Sequence, residues 1–344
     1  MFESSDLSVL CCPVCKSDLT FGQDKLHCAP CTRDYPVVDG IPRLLHLDGG
    51  ANYNTMWDYK WTELDGGRGY NYEIIEQGTP AYEVHNVIRY FEEDGEAFAD
   101  IKDAEVCLDI GCGTAQYSVR LLQLGAKRVY AFDLTRGVDV GRRIIAQRYP
   151  EFLDRIVFVQ ANAKYLPVKS DRADFAMALA SIHHSGFLEA CISEVARATA
   201  KAKRLAIWIY ARPLLPLGDK YRTGPLAYLM LIARMAHLLY TELLHNIFMR
   251  LPNDMLVAVL RVLATDTVYK LRNLPILGRV VAFFTPGITS HSDKGYRLIN
   301  LYDAYSPSYA EAADEGDAIR WGKTFGFRIL SFVSWRLGFV AEKK

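Results

Sequence analysis

Between Glu105 and Ala341 the apolar positions follow two periods in turn. Val106, Leu108 and Ile110 make a short apolar run of the kind a strand covered on both faces requires, and Gly111 and Gly113 end it. From Ala115 to Leu124 the apolar residues Tyr117, Leu121, Leu122 and Leu124 recur at helical spacing, so the glycine turn opens directly onto a helix N-terminus. The same alternation continues and predicts strands over 105–110, 128–133, 155–159, 173–180 and 203–210. Two final runs, Phe327 to Ser334 and Leu337 to Ala341, are separated only by Trp335 and Arg336 and predict a closing hairpin. Strands alternating with helices predict an α/β, doubly wound, mostly parallel sheet. In such sheets ligands sit beyond the carboxyl ends of the strands, which singles out Gly111, Asp133, Asn162, Ser181 to His184, and Tyr210.

The flanking segments read differently. Leu47 to Gly78 is rich in aromatics (Tyr53, Trp57, Tyr59, Trp61, Tyr70, Tyr72) and predicts either a lid over a ligand or a helix packed on the core. Pro80 to Phe98 predicts a helix with Val84, Val87, Ile88 and Phe91 on one face. Roughly 212–307 reads as a helical insertion between the fifth and sixth strands. It is strongly apolar, but Arg234, His237, Glu242, His245 and Arg250 interrupt it, so the run of about eighteen apolar residues that a membrane span needs does not occur. Cover for the substrate side, a dimer surface and a shallow membrane contact all remain open for it.

Composition adds boundaries. The 344 residues, half of them hydrophobic, suffice for one large core with a smaller attachment. Forty basic residues balance forty acidic ones, which argues against an electrostatic nucleic-acid grip over the whole surface. Met1 to Asp6 shows no basic stretch followed by an apolar one, so a cytoplasmic protein is expected. Eight cysteines there read as metal ligands or buried thiols rather than disulfides.

Four of those cysteines are organised. Cys12-Pro-Val-Cys15 and Cys28-Ala-Pro-Cys31 are two Cys-x-x-Cys knuckles twelve residues apart, a spacing that lets four thiolates converge on a structural zinc ion. Cys11 falls outside the spacing and is read as a bystander. Residues 1 to about 50 are therefore read as a separate module, too small to fold on an apolar core alone, for which the metal supplies stability. Four thiolates leave no open coordination position for catalysis. The segment Leu10 to Leu45, with its first knuckle, Tyr35-Pro-Val-Val-Asp-Gly-Ile-Pro42 and Leu44-Leu45, resembles the Trm112-like zinc-ribbon family. That resemblance implies a partner or fused module of methyltransferases.

The glycine turn identifies its own ligand class. A dinucleotide fingerprint wants a third Gly or Ala where this chain has Gln116, and the acid Asp109 two residues before Gly111 suits a cation better than a pyrophosphate. Asp133, at the end of the run Val129 to Phe132, stands where a second strand offers a carboxylate to ribose hydroxyls. Asp109-Ile-Gly-Cys-Gly113, Asp133, Ala161-Asn-Ala-Lys-Tyr-Leu-Pro-Val168 and Ala173 to His184 resemble, in order, four motifs of the class I S-adenosylmethionine-dependent methyltransferases. The resemblance spans roughly Trp57 to the C-terminus and implies a seven-stranded Rossmann-like sheet with one antiparallel strand. It also implies a cofactor site at Asp109, Gly111, Gly113, Asp133, Asn162 and Ala163. Asn162 departs from the usual Asp of the third motif, although its amide oxygen still accepts from an adenine amino group.

Methyl transfer is an in-line displacement that chiefly needs positioning and exclusion of water. Where the acceptor must lose a proton, His183 and His184 stand at a strand tip with the right chemistry for a base. Packing against the helix that starts near Gly186 is the competing role. Tyr210 and Tyr302 are weaker candidates for orienting an acceptor. The expected activity is methyl transfer to a small or lipophilic acceptor, which the apolar insertion motivates. RNA is the second expectation, with Arg142-Arg143 and Lys201 to Arg204 as basic clusters, and a non-catalytic cofactor-binding scaffold is the third. A homodimer or a partner protein bound through the ribbon or the insertion is also open.

Overall fold

The computed structural model describes residues 2–47, 53–76, 79, 87–212, 225–275, 277–285, 291–307, 310–333 and 337–344. The chain forms two compact units, Met1–Ala211 with Tyr309–Lys344, and Arg212–Ser308. Among the described residues twelve strands run along the first: β1 (Thr20–Gly22), β2 (Lys25–Cys28), β3 (Arg33–Val38), β4 (Ile41–Leu44), β5 (Cys107–Ile110), β6 (Val129–Asp133), β7 (Ile156–Ala161), β8 (Ala173–Leu179), β9 (Thr199–Ala211), β10 (Ala312–Ala313), β11 (Phe327–Phe332) and β12 (Leu337–Lys343). Its α-helices are α1 (Tyr53–Tyr59), α2 (Val87–Asp94), α3 (Gln116–Gln123), α4 (Gly137–Arg148), α5 (Leu188–Ala198) and, after the insertion, α11 (Glu315–Phe325). The second unit holds α6 (Pro225–Phe248), α7 (Asn253–Leu263), α8 (Asp266–Arg272), α9 (Leu277–Phe284) and α10 (Lys294–Tyr305).

The sheet runs β1-β2-β3-β4-β7-β6-β5-β8-β9-β12-β11, with the short β10 beside β9. Strands β5 to β9 are mutually parallel, β12 is antiparallel to β9, and β11 is antiparallel to β12. The expected doubly wound, mostly parallel seven-stranded sheet is therefore present from β7 to β11. Every residue of β5 is buried, as the continuous apolar run required. Chain order reverses at β5, with β6 and β7 on one side and β8 and β9 on the other, so the glycine turn after β5 occupies the topological switch point. Strand β9 begins at Thr199, before the expected start at 203. The predicted turn of the closing hairpin at Trp335 and Arg336, the Pro80 start of the helix seen as α2, and Ser308 and Tyr309 lie outside the described residues.

The N-terminal module, read as separate, continues the same sheet. Its antiparallel meander ends in β4, which pairs in parallel with β7 through Arg43 and Gln160 and through Leu44 and Ala161. A second seam joins Val9 to Cys11 with Pro167 to Lys169 through backbone hydrogen bonds of 3.0 and 2.9 Å. Leu10, Leu26 and Leu44 are fully buried in one core with Leu108, Val157 and Val168. Charged contacts complete the joint. The buried Asp6 carboxylate accepts from Arg128 Nε and Nη2 at 3.0 and 2.9 Å and from Tyr130 Oη at 2.9 Å. Arg43 makes a bidentate pair with Asp139 of α4, and Lys16 reaches Glu194 at 2.6 Å. Four β-strands and a metal would leave such a module marginal, and sharing a core removes that problem.

In the second unit, α10 is pinned by Arg297, whose buried guanidinium donates to the carbonyls of Ala264, His291 and Ser292 and to Asp266. Among the described residues no helix is long and apolar enough to cross a membrane.

Replacing Asp6 by Ala strips Arg128 and Tyr130 of a buried acceptor. Urea unfolding is expected to show a loss of about 2–4 kcal/mol. Asp18→Ala, which removes an exposed partner of Lys169, should leave the midpoint nearly unchanged.

Candidate functional site

At the switch point the backbone does what only glycine tolerates. Gly111 and Gly113 have φ of +75° and +56°, and a Cβ at Gly111 would stand 2.2 Å from Ser181 Cβ, while one at Gly113 would stand 2.7 Å from Trp61 Cζ2. Ser181 closes the floor by donating to the Ile110 carbonyl at 2.8 Å, tying the tip of β8 to that of β5.

Two carboxylates flank this turn. Asp109 is buried and accepts from Ser118 Oγ at 2.7 Å. Burial lifts its carboxyl to about 7, with the charge of Asp133 adding to the rise and the Ser118 hydrogen bond opposing it. Asp133 accepts from Gly113 N at 2.8 Å through one oxygen, and from Thr135 N and Oγ1 at 2.9 and 2.7 Å through the other. Burial raises its pKa too, and the bonds from Thr135 and Gly113 and the charge of Lys60 pull it back. The expected pair of acids is thus brought to one place, around the glycine turn.

The aromatic segment predicted as lid or packed helix covers this turn. Helix α1 passes into a π-helical turn, Lys60–Asp65, which ends at Gly66 in the left-handed region. The π-turn delivers the Trp61 ring onto Gly113 and Gly137 and buries Lys60, whose Nζ lies 4.1 Å from the Trp61 ring centre and 5.2 Å from that of Trp57. Tyr72 Oη adds a 2.5 Å hydrogen bond to the Thr114 carbonyl, and Asp65 accepts from Gly69 N and Tyr70 N at 3.0 Å. Sequence reasoning missed Lys60. An isolated lysine on a helix normally reads as solvated, and only its position between Trp57 and Trp61 could have flagged it.

The remaining predicted residues fall on neighbouring tips. Asn162 is buried beyond β7, its Oδ1 accepting from Lys164 N at 3.0 Å and its Nδ2 donating to the His46 carbonyl at 3.2 Å. It caps a short turn, Ala163–Tyr165, so Ala163 is half-buried beside it. His183 and His184 lie in another short turn after β8. Their rings are 4.1 Å apart, and His183 is fully enclosed against Tyr210 at 4.1 Å and Trp208 at 6.1 Å. His184 instead meets Trp57 at 4.9 Å, on the side of the aromatic segment. Tyr302 belongs to the second unit, where its hydroxyl donates to Asn253 at 2.8 Å.

Two family models match the chain: "Methyltransferase domain" over residues 108–207 and "Trm112p-like protein" over 7–40. A UPF0434 protein of Methylobacillus flagellatus is 44% identical over 41 residues, which cover 11% of this chain and 68% of that protein. The chain carries a class I methyltransferase domain and an N-terminal Trm112-like ribbon. Solved structures similar to it include magnesium protoporphyrin IX methyltransferase of Synechocystis PCC 6803, with bound S-adenosylhomocysteine, at 16% identity and a TM-score of 0.44, covering 85% of this chain and 96% of that one. An S-adenosylmethionine-dependent methyltransferase of Mesorhizobium loti gives 18% identity and 0.28, with 33% and 48% covered. A complex containing the Haloferax volcanii Trm112 methyltransferase activator gives 16% and 0.33, with 45% and 60% covered.

In the ribbon, the sulfurs of Cys12, Cys15, Cys28 and Cys31 all lie within 4.8 Å of one another. The Cys12–Cys31 and Cys15–Cys28 separations are 4.0 and 3.5 Å. Ligands about 2.3 Å from a tetrahedral zinc stand about 3.8 Å apart, so the cluster fits that ion. Hydrogen bonding to Ser17 draws the exposed Cys15 thiol down to about 6, while burial raises Cys28 and the hydrogen bond with Cys15 raises Cys31. Cys11 stays outside the cluster, with its thiol buried and pushed up to about 11.

Elemental analysis of the purified chain is expected to find a single zinc, which Cys28→Ser loses together with several degrees of melting temperature. A metal-free chain whose melting ignored chelator would contradict the assignment.

Proposed function

We propose that this methyltransferase moves a methyl group from S-adenosylmethionine to a small or lipophilic acceptor, with zinc held structurally in the ribbon. The observation that carries the reading is the pair of carboxylates, Asp109 and Asp133, set around a glycine turn at the point where strand order reverses. When bound, the cofactor supplies an electrophilic methyl carbon on a sulfonium. The chain's own part is positioning. Asp133, already oriented by Thr135 and Gly113, has carboxylate lone pairs to offer the ribose hydroxyls. Gly111 and Gly113 let the backbone approach, and Asp109 places negative charge below a cationic ligand. Asn162 and Ala163, at the tip of β7, would hold the adenine. The indole of Trp61 and the aliphatic stem of Lys60 exclude water from above.

For a hydroxyl or amine acceptor, His184 is the better placed base of the two histidines. It is 9% exposed and turned towards Trp57, whereas His183 is fully enclosed and serves as its support. The basic cluster Lys201 to Arg204 does not favour RNA. Lys203 lies 3.4 Å from Asp174, and Arg204 lies 3.6 Å from Glu96 and 3.7 Å from Asp100.

Incubating the chain with S-adenosylmethionine and a lipid or small-molecule extract is expected to yield S-adenosylhomocysteine. Labelling confined to RNA would discard the acceptor class, and no cofactor uptake by calorimetry would discard the reading. Asp133→Ala should weaken uptake about ten- to a hundred-fold by removing two ribose contacts.

The pH dependence carries a definite sign. Asp109 gives up its proton near 3.8 in the unfolded chain and near 7 when folded. Stability therefore falls as pH rises through that window, and Asp109→Asn flattens the fall in thermal unfolding. A cationic ligand favours the ionised carboxylate, so affinity for S-adenosylmethionine should rise from about pH 6 to about pH 8 and level off, a rise that Asp109→Asn abolishes.

A further inference from the structure

The second unit has an apolar surface that its own fold does not use. Helix α7 buries Leu256, Val257 and Leu260, yet its other side is not the polar face a surface helix normally presents: Met255, Val259 and Val262 stand exposed, the last at 66%. Helix α6 also exposes apolar side chains, Leu239 at 71% and Leu243 one turn on, and α9 exposes Phe284. Of the nineteen large apolar side chains exposed among the described residues, twelve fall between 238 and 284, about a seventh of the chain. A contiguous excess of this kind marks an interaction surface.

Charge identifies the partner. Among the described residues of this unit the exposed bases are Arg250, Arg261, Lys270, Arg279 and Lys294, against the exposed acids Glu242, Asp254, Asp266 and Asp293, of which Asp266 is already paired with the buried Arg297. Arg250, Arg261, Lys270 and Arg279 are all exposed on or beside the same helices. A seam between two copies would bring together surfaces of the same sign, which repel, while a surface of negative charge is matched. Helix α6, at 24 residues, has the length to cross a membrane, but among the described residues no helix is both long and apolar enough to do so, and helices α7 and α9 have only 11 and 8 residues. At 1.5 Å per residue they reach about 17 and 12 Å, well short of the roughly 30 Å of a hydrocarbon core, and such helices lie in the plane of the interface.

We propose that the unit formed by residues 212–308 docks on an anionic lipid surface. Its exposed apolar rows enter the head-group boundary, and its arginines and lysines pair with the lipid anions. The proposal stands apart from the methyl-transfer reading, since vesicle binding by a chain with no transferase activity would leave it intact.

Flotation of the full chain with phosphatidylcholine vesicles, with and without phosphatidylserine, tests it. Capture is expected on the phosphatidylserine vesicles only and should weaken as salt rises. Arg261→Gln and Lys270→Gln should each reduce it about five-fold. Leu239→Asp and Val262→Asp should abolish capture while circular dichroism and melting stay as in the parent chain, because both side chains are exposed. No capture on phosphatidylserine vesicles would overturn the proposal, as would capture that these four variants leave unchanged. A dimer in light scattering that Val262→Asp splits into monomers would also overturn it, by showing that a second copy covers the face.

Discussion

Two carboxyl groups, Asp109 buried and Asp133 half-buried, are brought to one notch, and the local architecture around the switch point is what makes that tolerable. Asp133 recovers solvation from Gly113 and Thr135, and Asp109 recovers less, from Ser118 alone, so Asp109 carries the larger disturbance of its acidity. The price of the notch is thus unevenly shared. The glycine turn matters to this balance because it brings a backbone N–H against Asp133 at a point where any side chain would collide with Trp61. The buried ammonium of Lys60 adds opposite charge that favours the ionised Asp133.

The ribbon bears on the same place from the outside. Strand β4 lies along β7, whose Gln160 donates to the Leu134 carbonyl at 3.1 Å, directly after Asp133. Arg43 of β4 holds Asp139 in the first turn of α4, the helix that follows the same loop. A module with its own cysteine cluster is in this way mechanically part of the wall that carries the second carboxylate.

Much of this was legible in the chain. The strands showed because parallel strands buried on both faces need unbroken apolar runs, and the glycine turn showed because its spacing next to Asp109 has few other uses. The four zinc-competent cysteines were legible from spacing alone. What stayed hidden were pairings between distant segments. Nothing in Ile41 to Leu44 reveals that its partner is β7, more than a hundred residues on, and Asp6 looks like any exposed acid until Arg128 and Tyr130 arrive. The π-turn was equally invisible, since a change of helical pitch has no composition signature, and Lys60 was lost with it. The mutual packing of His183 and His184 with Tyr210 likewise depends on the turn after β8 meeting the end of β9 in space.

The shared sheet also bears on solubility. A parallel strand such as β7, apolar and buried along most of its length, would be a hazardous boundary if its outer ladder faced solvent, because any extended chain could add to it. The ribbon moves that boundary outwards to β1, which is three exposed residues long and offers little to pair with. At the opposite border β11 is broken by a bulge between Ile329 and Ser331, which spoils the ladder there as well. A twelve-stranded sheet thereby ends on both sides in strands poorly suited to templating aggregation.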